Sequence, residues 1–211
     1  MEDKQLKTGT TTLGLVCKDG VVLAADKRAT AGYFVASKKV EKIIKITDDL
    51  AVTIAGTVSD IQLLVKLIKA ELKLKIIRTG KPTTVKEAVN LLSGIVYNNI
   101  RKFSLIPGIS HFIVGGKDVE GYHIYDLSPD GAIEQIDEFV SSGSGSILVY
   151  GLLEQAYKKG MTIKEGIELA EKCINSAISR DIASGNGMDI VTITSAGVKK
   201  IITKKVDMTL K

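Results

Sequence analysis

Two pairs of amphipathic stretches, residues 59–78 with 83–100 and 147–157 with 162–183, divide an otherwise strand-like chain into three blocks. That order limits the fold more than any single motif does. In the first stretch Ile61, Leu64, Val65, Ile68, Leu72 and Ile76 recur with the 3.6-residue period of a helix, and Thr79-Gly80-Lys81-Pro82 stops it. In the second, Thr83 or Thr84 is the cap, Glu87 completes a capping-box spacing from Thr84, and Val85, Ala88, Val89, Leu92, Ile95, Val96 and Ile100 form the buried stripe. Glu165 stands three positions beyond Thr162 at the head of the fourth stretch. Around these helices, residues 11–17 and 21–26 read as a hairpin turned by Lys18-Asp19-Gly20. Residues 38–46 and 50–55 read as strands, the second ending at Gly56, with 31–37 a loop beside a pocket. Strands at 112–115, 121–126 and 132–136 follow, and 188–194 with 198–203 close the chain after an Asn186-Gly187 turn. Helix pairs set around blocks of mostly antiparallel strands predict an α+β fold, a four-layer αββα sandwich of two sheets flanked by helices, in one domain.

Composition excludes several classes of function. A net charge of +5 is spread over predicted helices and the last strand with little aromatic interleaving, which argues against nucleic-acid binding. Residues 1–9 carry Glu2, Asp3, Lys4 and Lys7 and cannot form a secretory signal, and no apolar run reaches membrane-spanning length, so a soluble, cytoplasmic protein is expected. Cys17 and Cys173 each sit inside an apolar periodic segment, as buried thiols do in a reducing compartment. His111 and His123 have no third ligand nearby in sequence, and the glycine-rich segments lack the spacing and lysine of a phosphate-binding loop. Neither metal nor cofactor is expected.

One hydroxyl-rich run, Lys7-Thr8-Gly9-Thr10-Thr11-Thr12, stands between a polar leader and the first strand. Threonines are good strand formers, and that explains part of it. A threonine hydroxyl is also a poor nucleophile unless a base lies beside it, and its own α-amine can serve when the residue is first in the chain. Cleavage between Gly9 and Thr10 would create that arrangement. The hairpin then brings Asp26, at the end of its second strand, beside Thr10 at the start of its first.

Six ordered motifs carry a resemblance: Gly9-Thr10-Thr11-Thr12, Ala25-Asp26-Lys27-Arg28-Ala29-Thr30, Lys42, Thr53-Ile54-Ala55-Gly56, Gly143-Ser144-Gly145-Ser146 and Arg180-Asp181-Ile182-Ala183-Ser184-Gly185. Together, over essentially all of the chain from Thr10 onward, they resemble the β-type subunits of the proteasome core particle, close to the archaeal type. The resemblance implies an N-terminal-nucleophile hydrolase, a threonine endopeptidase whose leader, residues 1–9, is removed by self-cleavage to leave residues 10–211 as the catalytic domain. It implies that Thr10 attacks the peptide carbonyl, that Asp26 pairs with Lys42, that the Gly56 N–H meets the oxyanion, and that Ser144, Asp181 and Ser184 surround the Thr10 amine. Thr30 would hold substrate as an added strand, and Ala29, Val40, Ile44, Ile54, Val58 and Gln62 would border an apolar pocket favouring cleavage after apolar residues. Implied partners are α-type subunits, other β-type subunits in sevenfold rings, an ATP-dependent unfoldase and unfolded polypeptide substrates. The alternative in the same family is a catalytically silent ring subunit. An α-amine titrates near about 7.7–8.0 and a lysine near about 10.4, so a neutral Lys42 base at pH 7 would need its pKa lowered by about 3 units, about 4 kcal/mol. Lys42 is therefore read as a fixed positive charge, with the released amine as the base.

Overall fold

The computed structural model describes residues 9–105 and 107–206; apart from Gly9, the expected leader lies outside them. The chain opens with a hairpin, β1 (Thr12–Cys17) and β2 (Gly20–Asp26), and these strands pair in register from Thr12↔Ala25 to Cys17↔Gly20. β2 is buried along its whole length because both of its faces are covered. Val22 and Ala24 face one apolar cluster, while Val21, Leu23 and Ala25 face another.

A short pair, β3 (Ala29–Ala31) and β4 (Phe34–Ser37), follows where a loop was expected. Thr30 and Val35 are β-branched and pair across the turn at Gly32, which supports this ribbon. Next come β5 (Ile43–Lys45) and β6 (Leu50–Gly56). The strand expected over 38–46 is confined to β5 because the Val40 amide turns away to donate to the Lys27 carbonyl (3.1 Å), leaving pairing with β6 to begin at Ile43↔Thr53.

Helices α1 (Val58–Thr79) and α2 (Val85–Arg101) cover the sheet built from β5, β6, β7 (Ser110–Asp118), β8 (Gly121–Leu127) and β9 (Ile133–Ile136), paired in that order. Thr84 and Glu87 form a reciprocal capping box at the head of α2. The expected stripe of α1 is buried from Ile61 to Leu72, but Ile76 is 42% exposed on the last turns, where the helix runs on toward Gly80.

β10 (Phe139–Ser142) leaves β9 and crosses to the other sheet, pairing with β1; that sheet runs β10-β1-β2-β11-β12, with β11 (Gly187–Thr194) and β12 (Gly197–Lys205). α3 (Ser146–Ala156) and α4 (Ile163–Arg180) cover its outer face, α4 headed by a Thr162/Glu165 capping box. α4 stops at Arg180 rather than at 183, because Asp181 takes an extended backbone and its side chain organises the following turn. Three apolar clusters separate the layers: α1 and α2 on the β5–β9 sheet, the two sheets on each other, and α3 and α4 on the β10–β12 sheet. This is the four-layer αββα sandwich. Thr10, the end of β2, the segment before β5 and the loops before α3 and after α4 converge at one end of it.

Candidate active site

The hairpin places Thr11 opposite Asp26, and the two exchange backbone and side-chain hydrogen bonds: Asp26 N–H donates to the Thr11 carbonyl (3.1 Å) and Thr11 N–H to Asp26 Oδ1 (2.9 Å). Lys42 Nζ donates to the same oxygen at 2.6 Å, and both side chains are almost wholly buried. Asp26 Oδ2 accepts from the backbone N–H groups of Arg28 and Gly185, each at 2.9 Å. One carboxylate thus joins the first strand, the segment before β5 and the turn after α4.

Burial pushes the Lys42 pKa down from the ordinary lysine value, and the Asp26 carboxylate pulls it back only in part. Weighing Asp26 alone, as sequence reasoning does, misses the larger influence: the depth at which the sandwich buries this ammonium.

Thr10 is 6% exposed, and its hydroxyl donates to the Gly9 carbonyl at 2.7 Å. Because the Gly9–Thr10 peptide bond is intact, the Thr10 nitrogen is an amide, and its N–H donates to Ser144 Oγ (3.3 Å). Ser144 Oγ and Ser184 Oγ both donate to Asp181 Oδ2, at 2.7 and 2.6 Å. With the Ser184 proton directed to Asp181, the 2.6 Å contact between Thr11 Oγ1 and Ser184 Oγ has Thr11 as donor. The backbone at Gly143 and Gly145 passes so close to Thr10 and Thr11 that a Cβ at either would meet Thr10 O or Thr11 Oγ1 at 2.0 Å.

A pocket of about 160 Å³ opens beside Thr10. Ala29, Thr30, Val40, Ile44, Ile54, Val58 and Gln62 all line it, together with Gly9, Lys42, Gly56 and Glu41. Glu41 pairs with Lys200 at 2.7 Å, so the lining charges, Glu41 and Lys42, each have a partner. Asp60, near these residues in sequence, turns away to accept from Asn99 Nδ2 (3.1 Å). Gly56 ends β6 with φ +126, and a Cβ there would sit 2.2 Å from the Ile109 carbonyl. No side chain fits at this point of the pocket wall.

Sequence reasoning overlooked three participants. Thr11 was read as a strand residue, but its hydroxyl extends the Ser184–Asp181 chain. Arg28 braces the turn after α4, donating to Asn186 Oδ1 (2.8 Å) and the Ile182 carbonyl (2.7 Å); its place two residues after Asp26 was the available signal. Lys27 forms a buried ion pair with Asp189 at 2.5 Å, which nothing local foretells.

Among the described residues, one group could hold a metal ion, Asp118, Glu120 and His123, at the β7–β8 turn and away from this pocket. Its Asp118 already accepts from the N–H groups of Val85 and Glu120 and contacts His123.

The family model described as "Proteasome: Proteasome subunit" matches residues 6–193. The chain belongs to the proteasome subunit family. It is 46% identical over 211 residues to the proteasome subunit beta of Ferroglobus placidus, covering 100% of this chain and 98% of that one. The proteasome subunit beta of Archaeoglobus profundus is 48% identical over 211 residues, 100% of this chain and 95% of the relative. That of Methanocaldococcus fervens is 46% identical over 192 residues, 90% and 84% of the two chains. In this β-type proteasome chain, the six motifs on which the resemblance rested meet around Thr10.

Proposed function

We propose that the chain is a catalytic β-type subunit of the proteasome core particle, a threonine endopeptidase that degrades unfolded polypeptides after freeing Thr10 by self-cleavage. The observation that carries this reading is the Thr10 hydroxyl resting 2.7 Å from the Gly9 carbonyl oxygen, in the pocket that Lys42, the partner of Asp26, also lines.

Self-cleavage begins as Thr10 Oγ bonds to the Gly9 carbonyl carbon. The Gly9–Thr10 C–N bond breaks, the hydroxyl proton passes to the departing nitrogen, and an ester remains between Gly9 and Thr10 Oγ. Water then splits that ester, releasing residues 1–9 as a carboxylic acid and restoring the hydroxyl beside a free amine. Until then the amide cannot accept a proton, and Gly9 occupies the substrate position with its N–H on Thr30 Oγ1 (3.0 Å), so the leader keeps the subunit a zymogen.

In the mature subunit the freed amine sits where the Thr10 amide meets Ser144, next to the Ser144–Asp181–Ser184 chain, and takes the hydroxyl proton as Oγ attacks substrate. Lys42 supplies positive charge that lowers the proton affinity of both groups, and Asp26 holds it in place. The Gly56 N–H meets the oxyanion, with no side chain to keep the substrate away. Thr30 grips substrate main chain, and the apolar lining favours cleavage after apolar residues, each methylene buried there being worth about 1–3 kcal/mol. Assembly with α-type subunits and with further β-type subunits in sevenfold rings encloses the site, and an ATP-dependent unfoldase supplies extended chains, in the cytoplasm.

The test is Thr10→Ala in particles assembled with α-type subunits. Peptidase activity toward an apolar fluorogenic peptide is expected to vanish while assembly persists; unchanged turnover would refute the reading, and an inactive unaltered particle would favour a silent ring subunit.

A further inference from the structure

Gly9 is held from two directions. Its N–H is fixed on Thr30 Oγ1 and its carbonyl lies against the Thr10 hydroxyl, so the plane that Thr10 must attack is set. On its third side there is no room at all. A Cβ built on Gly9 would lie 1.7 Å from the Ala183 Cβ, 2.9 Å from the Ala183 Cα and 3.1 Å from Ser144 Oγ. Neither Ala183 nor Ser144 lines the pocket beside Thr10, so a side chain at position 9 would point at the wall and not into that pocket.

The wall cannot yield easily. Ala183 N–H donates to Asp181 Oδ1 (3.2 Å), Ser184 N–H donates to the Asp181 carbonyl (3.2 Å), and Ser184 Oγ donates to Asp181 Oδ2. The same carboxylate takes the Ser144 hydroxyl. Moving Ala183 aside therefore disturbs the group that faces the Thr10 nitrogen. Rotating residue 9 instead swings its carbonyl away from Oγ. A substrate escapes this conflict because its scissile bond is not to Thr10 itself: only the leader is attacked through a five-membered ring, which leaves residue 9 no other pose.

We propose that Ala183 is the specificity-determining residue of self-cleavage, its methyl admitting only glycine before Thr10. This rests on the reading of Thr10 as the self-processing nucleophile and adds a selection rule to it. Two cleavages at one hydroxyl then apply opposite tests: the pocket rewards an apolar side chain before the cut in a substrate, and Ala183 forbids any in the leader.

The experiment follows leader loss by intact mass in particles assembled with α-type subunits, for the unaltered chain, Gly9→Ala, Ala183→Gly and the double variant. A displacement near 1 Å at a reacting group costs about a hundredfold, and Gly9→Ala is expected to slow processing by about that factor. Ala183→Gly should process its Gly9 leader readily, and the double variant should recover at least about tenfold over Gly9→Ala. Normal processing of Gly9→Ala, or a double variant as slow as Gly9→Ala, overturns the proposal while leaving Thr10 as nucleophile untouched. A leader retained by the unaltered chain overturns the underlying reading itself. Should Ala183→Gly alone stop processing, the structure of the assembled Gly9→Ala precursor decides: residue 9 or Ala183 displaced by about 1 Å supports the proposal, and an alanine accommodated with both in place overturns it.

Discussion

Replacing Asp26 with asparagine keeps the side chain's size and exchanges one acceptor oxygen for an NH2 group. Oδ1 serves Thr11 N–H and Lys42 Nζ, and Oδ2 serves Arg28 N–H and Gly185 N–H. Whichever way the amide turns, two donors meet a donor. Keeping the oxygen on Lys42 and Thr11 is the less costly choice, and it strands two backbone N–H groups at about 1–3 kcal/mol each. Lys42 then loses its carboxylate partner; a buried charge so abandoned costs about 3–5 kcal/mol unless it sheds its proton, and burial already pushes its pKa down. Asp26→Asn is therefore expected to cost about 3–6 kcal/mol, a fall in Tm of about 10–20 °C for a chain of this size, and to lower the Lys42 pKa further, since the carboxylate that opposes burial is gone. Lys42→Ala is expected to be milder on the fold, because Asp26 keeps its three backbone donors. Both variants should abolish peptidase turnover. Thermal unfolding of the isolated subunit beside peptidase assays of the assembled particle reads both effects. An Asp26→Asn variant as stable as the unaltered chain, or a Lys42→Ala variant that is clearly the less stable of the two, would refute the reasoning.

If Lys42 acts as a cation, kcat/KM should fall on the alkaline side at a pH below 10.5, as the ammonium loses its proton through its lowered pKa; a profile flat to pH 10.5 contradicts that role. Burial pushes the Cys17 and Cys173 thiols up to about 12, so the folded chain holds protons that unfolded thiols release near 9. Their contribution to stability is complete below pH 9 and is lost as pH rises toward 12, at up to about 1.4 kcal/mol per pH unit per thiol; urea titrations of a Cys17→Ala/Cys173→Ala variant should show a flatter alkaline limb. Gly56→Ala should cut turnover by at least about a hundredfold, because its Cβ would press on the Ile109 carbonyl and shift the N–H assigned to the oxyanion; near-normal kcat would refute that assignment.

What could be read before folding was local. β-branched runs flanking Asp19-Gly20 specify the hairpin, and the Thr84/Glu87 and Thr162/Glu165 pairs mark helix starts that the structure keeps. The sandwich follows from the order of these blocks. Hidden features were those that distant chain contributes. Gly185 reaches Asp26 across 159 residues, and β10 crosses sheets because Ser142 and Val140 pair with β1, which no periodicity announces. The Lys27–Asp189 pair likewise depends on β11 packing beside β2. At the site, motif order located the residues, whereas the direction of the Lys42 shift and the wall at Ala183 needed coordinates.

The central claim is that Thr10 becomes the first residue and the nucleophile. Intact mass of the subunit from active assembled particles, with the N-terminus read by fragmentation, tests it most directly. Loss of residues 1–9 and an N-terminus at Thr10 is the predicted result; full peptidase activity in particles whose β-type subunits all retain the Gly9–Thr10 bond would contradict it.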